Sequence, residues 1–315
     1  MTTISKKRAF RILFFLAAAS GIVFFLFRIS YVGKRIAVSE SMIQLAERGD
    51  AMVKNGFGNL KTTYIRVDSL SARTQKMDEQ FLERPAYMEI VIFNSSSNDI
   101  FFVFNKNEFR GFLTTYAPVP PYKDTVQINN KNSIRSFDPR FYGMSILGNP
   151  VSKFLRKQKL SIPLNNLGVL TRQIIEKSDE QEKSLDFSVV SINDGELVDG
   201  CDCSAVHCCN MENNVSLTVW LAAGLFYRPV KTVIEAGGYS LEIDSIFRQH
   251  ENGVWFSDTA ERKEYYTNEK SGEKILYSIQ TQEIDHDFEI NTSADDPGLN
   301  DVSEEYRRMV LDVLK

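Results

Sequence analysis

From residue 187 to residue 283 the chain is a succession of short runs rich in alternating, β-branched and aromatic residues, most of them closed by a turn dipeptide. The runs are 187–192, 196–198, 215–221, 230–235, 239–249, 254–266 and 274–283, and the punctuation is Asn193-Asp194-Gly195, Asp199-Gly200, Gly237-Gly238 and Asn252-Gly253. Asp-Gly and Asn-Gly supply the positive φ angles of two-residue hairpin turns, and loops this short can join only antiparallel neighbours. The first half repeats the pattern at 62–67, 87–93, 100–104 and 108–116, with turn chemistry at 95–99 and 105–107 and a further pair, 126–129 and 133–137. A sheet of about eleven strands cannot stay open and flat, so it is expected to curl.

Helical periodicity is confined to three places. Met42, Leu45, Ala46, Met52 and Val53 predict a helix over 40–55, opened by a Ser41/Gln44 capping box and stopped near Gly56 and Gly58. Between the strand series, residues 139–179 break the β pattern. There Leu160-Ser161-Ile162-Pro163 is read as a helix opening, followed by Leu164, Leu167, Leu170, Ile174 and Ile175 at spacings of three to four. After an acidic, loop-like stretch at 292–302, residues 304–314 carry a last apolar stripe of Tyr306, Met309, Val310 and Val313.

Residues 12–27 are uninterruptedly apolar, fenced by Arg11 and Arg28 and preceded by Lys6, Lys7 and Arg8, with no acidic residue before Glu40. With its apolar flanks the run predicts a transmembrane signal anchor over 12–32, after a cytoplasmic tail at 1–11. A cleaved signal peptide is the competing reading, because Ala17-Ala18-Ala19 offers a cleavage site. The expectation is a single-pass inner (cytoplasmic) membrane protein whose carboxy-terminal domain is extracytoplasmic, with membrane lipid as a partner of the first helix. The remainder divides into a half-barrel domain at 36–290 and an acidic tail with a helix at 291–315.

Charge excludes one class of partner. Of 37 Lys and Arg, seven lie in the first 35 residues, whereas all 41 Asp and Glu lie beyond them, so the remainder carries 30 basic against 41 acidic residues, a net of −11. Such a surface does not seek nucleic acid. Hydrophobic content of 43% with 22 Phe and 12 Tyr indicates a folded globule.

All four cysteines fall in Cys201-Asp202-Cys203-Ser204-Ala205-Val206-His207-Cys208-Cys209. Three readings stand: local disulfides joining Cys203 to Cys208 or Cys209 across a turn at 204–206, plain thiols, and a metal site. The last is disfavoured, since an extended strand spaces alternate side chains roughly 6.5–7 Å apart while zinc needs its ligands on one centre. No nucleophile elbow, zinc helix, phosphate loop or dinucleotide fingerprint is present. His207, His250 and His286 are the only histidines, and His286 between Asp285 and Asp287 reads as a solvated strand end. The chain is expected to be non-enzymatic and to hold no cofactor or metal. Both faces of 100–104 are apolar, which requires a cover on each side.

The element order, with Ser136-Phe137-Asp138-Pro139-Arg140-Phe141-Tyr142-Gly143, the 196–203 strand and the paired segments 220–230 and 251–256, resembles the bacterial LolA/LolB-like lipoprotein carrier and receptor family. Ser257 stands where that family's strand has proline, and Leu221-Ala222 where an acidic residue is usual. The resemblance implies an α+β fold: a curled antiparallel sheet forming an incomplete barrel, with short helices on its concave side. It also implies an apolar ligand, lipid or lipoprotein held inside, with Phe102, Phe104, Phe112, Leu164, Leu167, Leu170 and Ile174 as the lining. The alternative is a structural or assembly subunit of an envelope complex acting through protein–protein contacts.

Overall fold

The computed structural model describes residues 38–66, 95–105, 109–118, 121–130, 150–163, 184–250, 253–268, 271–285, 287–295, 297–300 and 302–314. The chain divides into two units, Met1–Ala37 and Val38–Lys315, and every described residue lies in the second. In order the elements are α1 (Glu40–Met52), β1 (Asn55–Arg66), β2 (Ser95–Asn105), β3 (Phe109–Pro118), β4 (Pro121–Asn130), α2 (Val151–Lys157), β5 (Lys159–Pro163), β6 (Ser184–Val198), β7 (Cys201–Asn210), β8 (Val215–Ala222), β9 (Arg228–Ala236), β10 (Tyr239–Gln249), β11 (Trp255–Thr267), β12 (Lys274–Ile284), β13 (Glu289–Ile290) and α3 (Glu304–Leu314). Short 3-10 turns occupy Ala223–Leu225 and Pro297–Asn300.

All strands join one antiparallel sheet in the order β4-β3-β2-β1-β12-β11-β10-β9-β8-β7-β6-β5, with β13 added beside β1. Most neighbours are sequence neighbours, as hairpin punctuation requires. The exception is β1 with β12, where Leu60 lies opposite Ile284 and Arg66 opposite Ser278. That single seam unites the two strand series. The fold is α+β with short helices, and among the described residues β4 and β5 do not pair, so the antiparallel sheet is open.

Further expectations are corrected. No helix among the described residues is long and apolar enough to cross a membrane, which runs against the expected single-pass inner-membrane topology and its signal anchor. Residues 12–32 themselves lie outside the described residues, as do 87–93, 133–137 and the periodic run 164–175. Residues 95–99 are strand, continuing β2 opposite 61–65 of β1. Leu160 and Ile162 belong to β5 and not to a helix, because alternation sends both into the core beside Phe187 and Leu185 of β6. Asn193-Asp194-Gly195 is a β-bulge within the continuous strand β6, with Gly195 at φ +80°. The motif that reads as a hairpin supplies a bulge glycine instead.

α1 starts at Ser39, whose Oγ accepts from the Met42 amide at 3.3 Å, so the cap lies two residues before the Ser41 expected. Met42, Ile43, Ala46 and Gly49 form its buried stripe, whereas Leu45 is 38% exposed. This stripe packs with Val151, Phe154 and Leu155 of α2 against the alternating interior residues of β5 to β10, including Phe187, Val206, Leu217, Val219, Ile234 and Leu241. Each such side chain contributes about 1.5–3 kcal/mol when fully buried.

The end of α1 is held by polar groups from elsewhere. Its last turn contains no basic residue, and its final carbonyls lack helical partners. Arg228 of β9, 1% exposed, donates from Nη2 to the Gly49 carbonyl at 2.7 Å and from Nη1 to Asp50 Oδ1 at 2.9 Å. The other Asp50 oxygen accepts from the Ser152 amide at 3.0 Å and the Ser152 hydroxyl at 2.6 Å, fastening the start of α2. Asn291 closes the same end, donating to the Met52 carbonyl and accepting from the Lys54 amide. Gly49 is required there because a Cβ would sit 2.5 Å from Phe226 Cβ, in a turn where Phe226 already has φ +55°. Burial pulls the Arg228 pKa down and Asp50 opposes the shift; an arginine in such a pair stays charged.

Both apolar faces of β2 find covers within the chain. Phe102 and Phe104 point to one side, where they meet Phe256, Phe288, Leu60 and Ile284, with the Phe104 and Phe256 rings stacked at 5.8 Å. Phe101 and Val103 point to the other, under Met309, Val310 and Val313 of α3, with Phe101 stacked on Tyr306 at 4.2 Å. The stripe read from the sequence at 304–314 is thus the second cover.

Removal of the Asp50 carboxylate leaves Arg228 buried without its counter-charge and the start of α2 without its acceptor. Asp50→Ala is expected to lower the unfolding free energy by about 3–5 kcal/mol, read as a fall in the denaturant midpoint. A loss no larger than that of an exposed surface substitution contradicts this account.

Candidate functional site

The hairpin of β6 and β7 carries exposed residues toward its turn. Its turn, Asp199-Gly200, has φ +47° and +81°, the positive pair that a two-residue turn between twisted strands requires. β5 pairs with only the first third of β6, Lys159 opposite Ser188 and Pro163 opposite Ser184, with one further bond from the Val189 amide to the Gln158 carbonyl at 3.3 Å. Gln158, at φ +51°, ends α2 and turns the chain from the helix into β5. Beyond Val189, β6 pairs only with β7 among the described residues. Among the described residues, 190–198 therefore have one backbone edge without a partner strand. Asn193, Asp194 and Gly195 are exposed along it, and Leu197 is 76% exposed.

The two faces of this hairpin differ. On the helix-bearing face, Val206 and Cys208 enter the main core, and Ser204 donates to Asp194 Oδ1 at 2.5 Å. Leu197 and Asp202 lie directly opposite each other in the ladder. Burial raises the Tyr227 hydroxyl pKa, and Asp194 and Asp202 raise it further. The Gly195 bulge resets the alternation, so Asn193 and Glu196 share the other face. There Asn193 Nδ2 is 3.3 Å from His207 Nε2, His207 Nδ1 is 3.1 Å from Thr218 Oγ1, and Trp220 donates to Glu196 Oε2 at 2.7 Å.

The four cysteines occupy one continuous strand, with no turn at 204–206, and all are free thiols. Cys203 and Cys208 are buried on opposite faces. Burial pushes the Cys203 thiol up to about 11, with nearby Cys201 adding to the shift, and pushes Cys208 up to about 12. Burial raises Cys209 as well. These thiols are protonated at neutral pH and poor nucleophiles. Among the described residues no three His, Cys, Asp or Glu side chains converge as a metal site. Both His207 nitrogens have polar neighbours, so the residue serves the sheet surface.

Of the residues expected to line an apolar cavity, Phe102 and Phe104 come together in the aromatic cluster with no exposed surface. Phe112 lies in β3 opposite Phe101 and Gln127, and nothing is described of its side chain. Leu164, Leu167, Leu170 and Ile174 lie outside the described residues. Arg228 was not singled out by sequence reasoning; the available signal was its place before Pro229 at the start of a strand whose Val230, Ile234 and Ala236 are apolar. The unpaired stretch of β6 was hidden because Gly195 read as the end of a strand.

No protein-family model matches the chain, and no curated protein matches it. Solved complexes that align with it include the following two. The MucA/MucB complex of Pseudomonas aeruginosa matches at 9% identity and a TM-score of 0.20, over 80% of this chain and 100% of that one. MucB in complex with MucA(peri) matches at 8% identity and a TM-score of 0.22, over 81% and 100%. Superpositions this loose carry no argument about binding. The kinship with LolA and LolB is corrected, since neither a family model nor an aligned structure supplies it.

Two measurements check the chemistry of these side chains. In the native protein at neutral pH a thiol reagent is expected to leave Cys203 and Cys208 unmodified and, once the chain is unfolded without reductant, to titrate all four cysteines; fewer than four in the unfolded chain would reveal a disulfide. His250 packs edge-on against Phe288 at 5.4 Å, and burial lowers its pKa, reinforced by Arg248 and opposed by Asp258. The unfolded chain therefore binds the proton more readily, so stability is fully present above about pH 6.5 and declines as pH falls from there through the lowered folded value. His250→Gln is expected to flatten that decline; an unchanged slope contradicts the assignment.

Proposed function

We propose that this chain is a non-enzymatic binding domain that acts through protein–protein contact, receiving an extended segment of its partner along the free edge of β6. The observation that carries this reading is the one-sided pairing of residues 190–198, with Leu197 76% exposed beside it. An unpaired strand edge is a template for another strand: its amides and carbonyls supply affinity, and its alternating side chains supply selectivity. The bulges after Val189 and Asn193 interrupt the register and restrict pairing to a partner that fits their kink. Of the two readings left open by the sequence, this is the assembly-subunit one. The apolar-ligand reading draws less support, because Phe102 and Phe104 are enclosed by neighbouring aromatic rings. Buried, protonated thiols and a histidine engaged on both nitrogens also favour recognition over catalysis.

A photo-crosslinking residue placed at Leu197 in the full chain is expected to give one stoichiometric protein adduct in cells. The same residue at Arg308, on the exposed face of α3, is expected to give none. Equal, diffuse labelling from both positions overturns the proposal.

A further inference from the structure

We infer that the segment received by β6 is an extended strand carrying lysine or arginine at alternate positions, whose aliphatic stems lie over Leu197. This rests on the edge reading above and adds the chemistry of the occupant. Residues 190–202 contain Asp194, Glu196, Asp199 and Asp202 and no lysine or arginine. Glu196 is engaged by Trp220 and Asp194 by Ser204, both neutral donors that leave the negative charge in place. Asp199 and Asp202 form no ion pair with any described residue. Asp194 and Asp202 act together on Tyr227, which places both carboxylates at the same end of the helix-bearing face, where Leu197 opposes Asp202.

An incoming strand at this edge places alternate side chains on that face, beside Leu197 and the two aspartates. Cations there find uncompensated carboxylates. The same edge of a second copy is excluded as the occupant by the same arithmetic. Pairing two such edges would bring eight carboxylates together without a basic residue from either 190–202 segment, and like charges across an interface cost several kcal/mol. The occupant is therefore a segment of opposite charge.

The test uses the full chain and two synthetic peptides as long as the 190–198 edge, one alternating lysine with valine and the other glutamate with valine. The lysine peptide is expected to protect alternate amides of 190–198 from hydrogen exchange, with affinity that falls as salt rises. In the triple variant Asp194→Asn, Asp199→Asn, Asp202→Asn its affinity is expected to drop about tenfold or more, given the weight of close charge pairs at interfaces. Asparagine suits the Asp199-Gly200 turn, so this variant keeps the fold. Leu197→Ser, at an exposed site, is expected to weaken binding without touching charge. Equal protection by both peptides, or an unchanged affinity in the triple variant, overturns the assignment of charge and leaves the edge reading standing. Protection of 190–198 by neither peptide overturns both.

Discussion

A guanidinium enclosed almost completely by protein needs a counter-charge and acceptors, and Arg228 obtains them from residues 178 and 179 positions earlier in the chain. The geometry of the whole helical layer follows from that need. Asp50 can meet Arg228 only if α1 ends beside the turn between β8 and β9, and Gly49 permits the approach because any larger residue would strike Phe226. The same carboxylate then fixes α2 through Ser152. One ion pair thus sets where two helices lie on the interior surface of β5 to β10. Its contribution is to placement more than to stability, since a buried pair recovers little beyond its own desolvation. Its loss is costly because the partner cannot leave.

The second organising constraint is the seam between β1 and β12. Every other adjacent pair in the main sheet order could form locally, but this one joins residues more than two hundred positions apart, with Gln282 donating to Thr62 in the buried interior at 3.0 Å. Around it the chain places its aromatic residues, Phe102, Phe104, Phe256 and Phe288 on one face and Phe57 and Phe101 on the other. Aromatic rings suit this position because a few large side chains close the gap between two strand series that no short turn holds in register.

Much of the strand content was legible because its signals are local. Asp199-Gly200, Gly237-Gly238 and the limits of 239–249 appear in the structure as the sequence predicts, since positive φ and alternation are properties of neighbouring residues. The stripe of α3 was legible for the same reason. Leu160 to Pro163 was not, because a short apolar run has no period of its own and was decided by Phe187 and Leu185 across the ladder. Nor was the Gly195 bulge, since the dipeptide that ends a strand and the one that kinks it are alike; only the pairing with β7 distinguishes them. The unpartnered edge is still less local. It depends on β5 beginning only at Lys159, where the chain leaves α2, while β6 runs on past Val189, a mismatch of lengths that no single residue announces. Hairpin signals likewise specify neighbours and are silent about whether the outermost strands meet.

The seam also orders events during synthesis. β1 and β2 leave the ribosome early, yet the strand that flanks β1 and the helix that shields Phe101 and Val103 come from the last forty or so residues of the sequence. Until those residues are made, one side of β1 has no neighbour and one aromatic face of β2 faces water. Native topology of this kind is slow to close and vulnerable to self-association while it waits. Nascent chains of this protein thus carry their greatest hazard at the beginning, and only the final elements remove it.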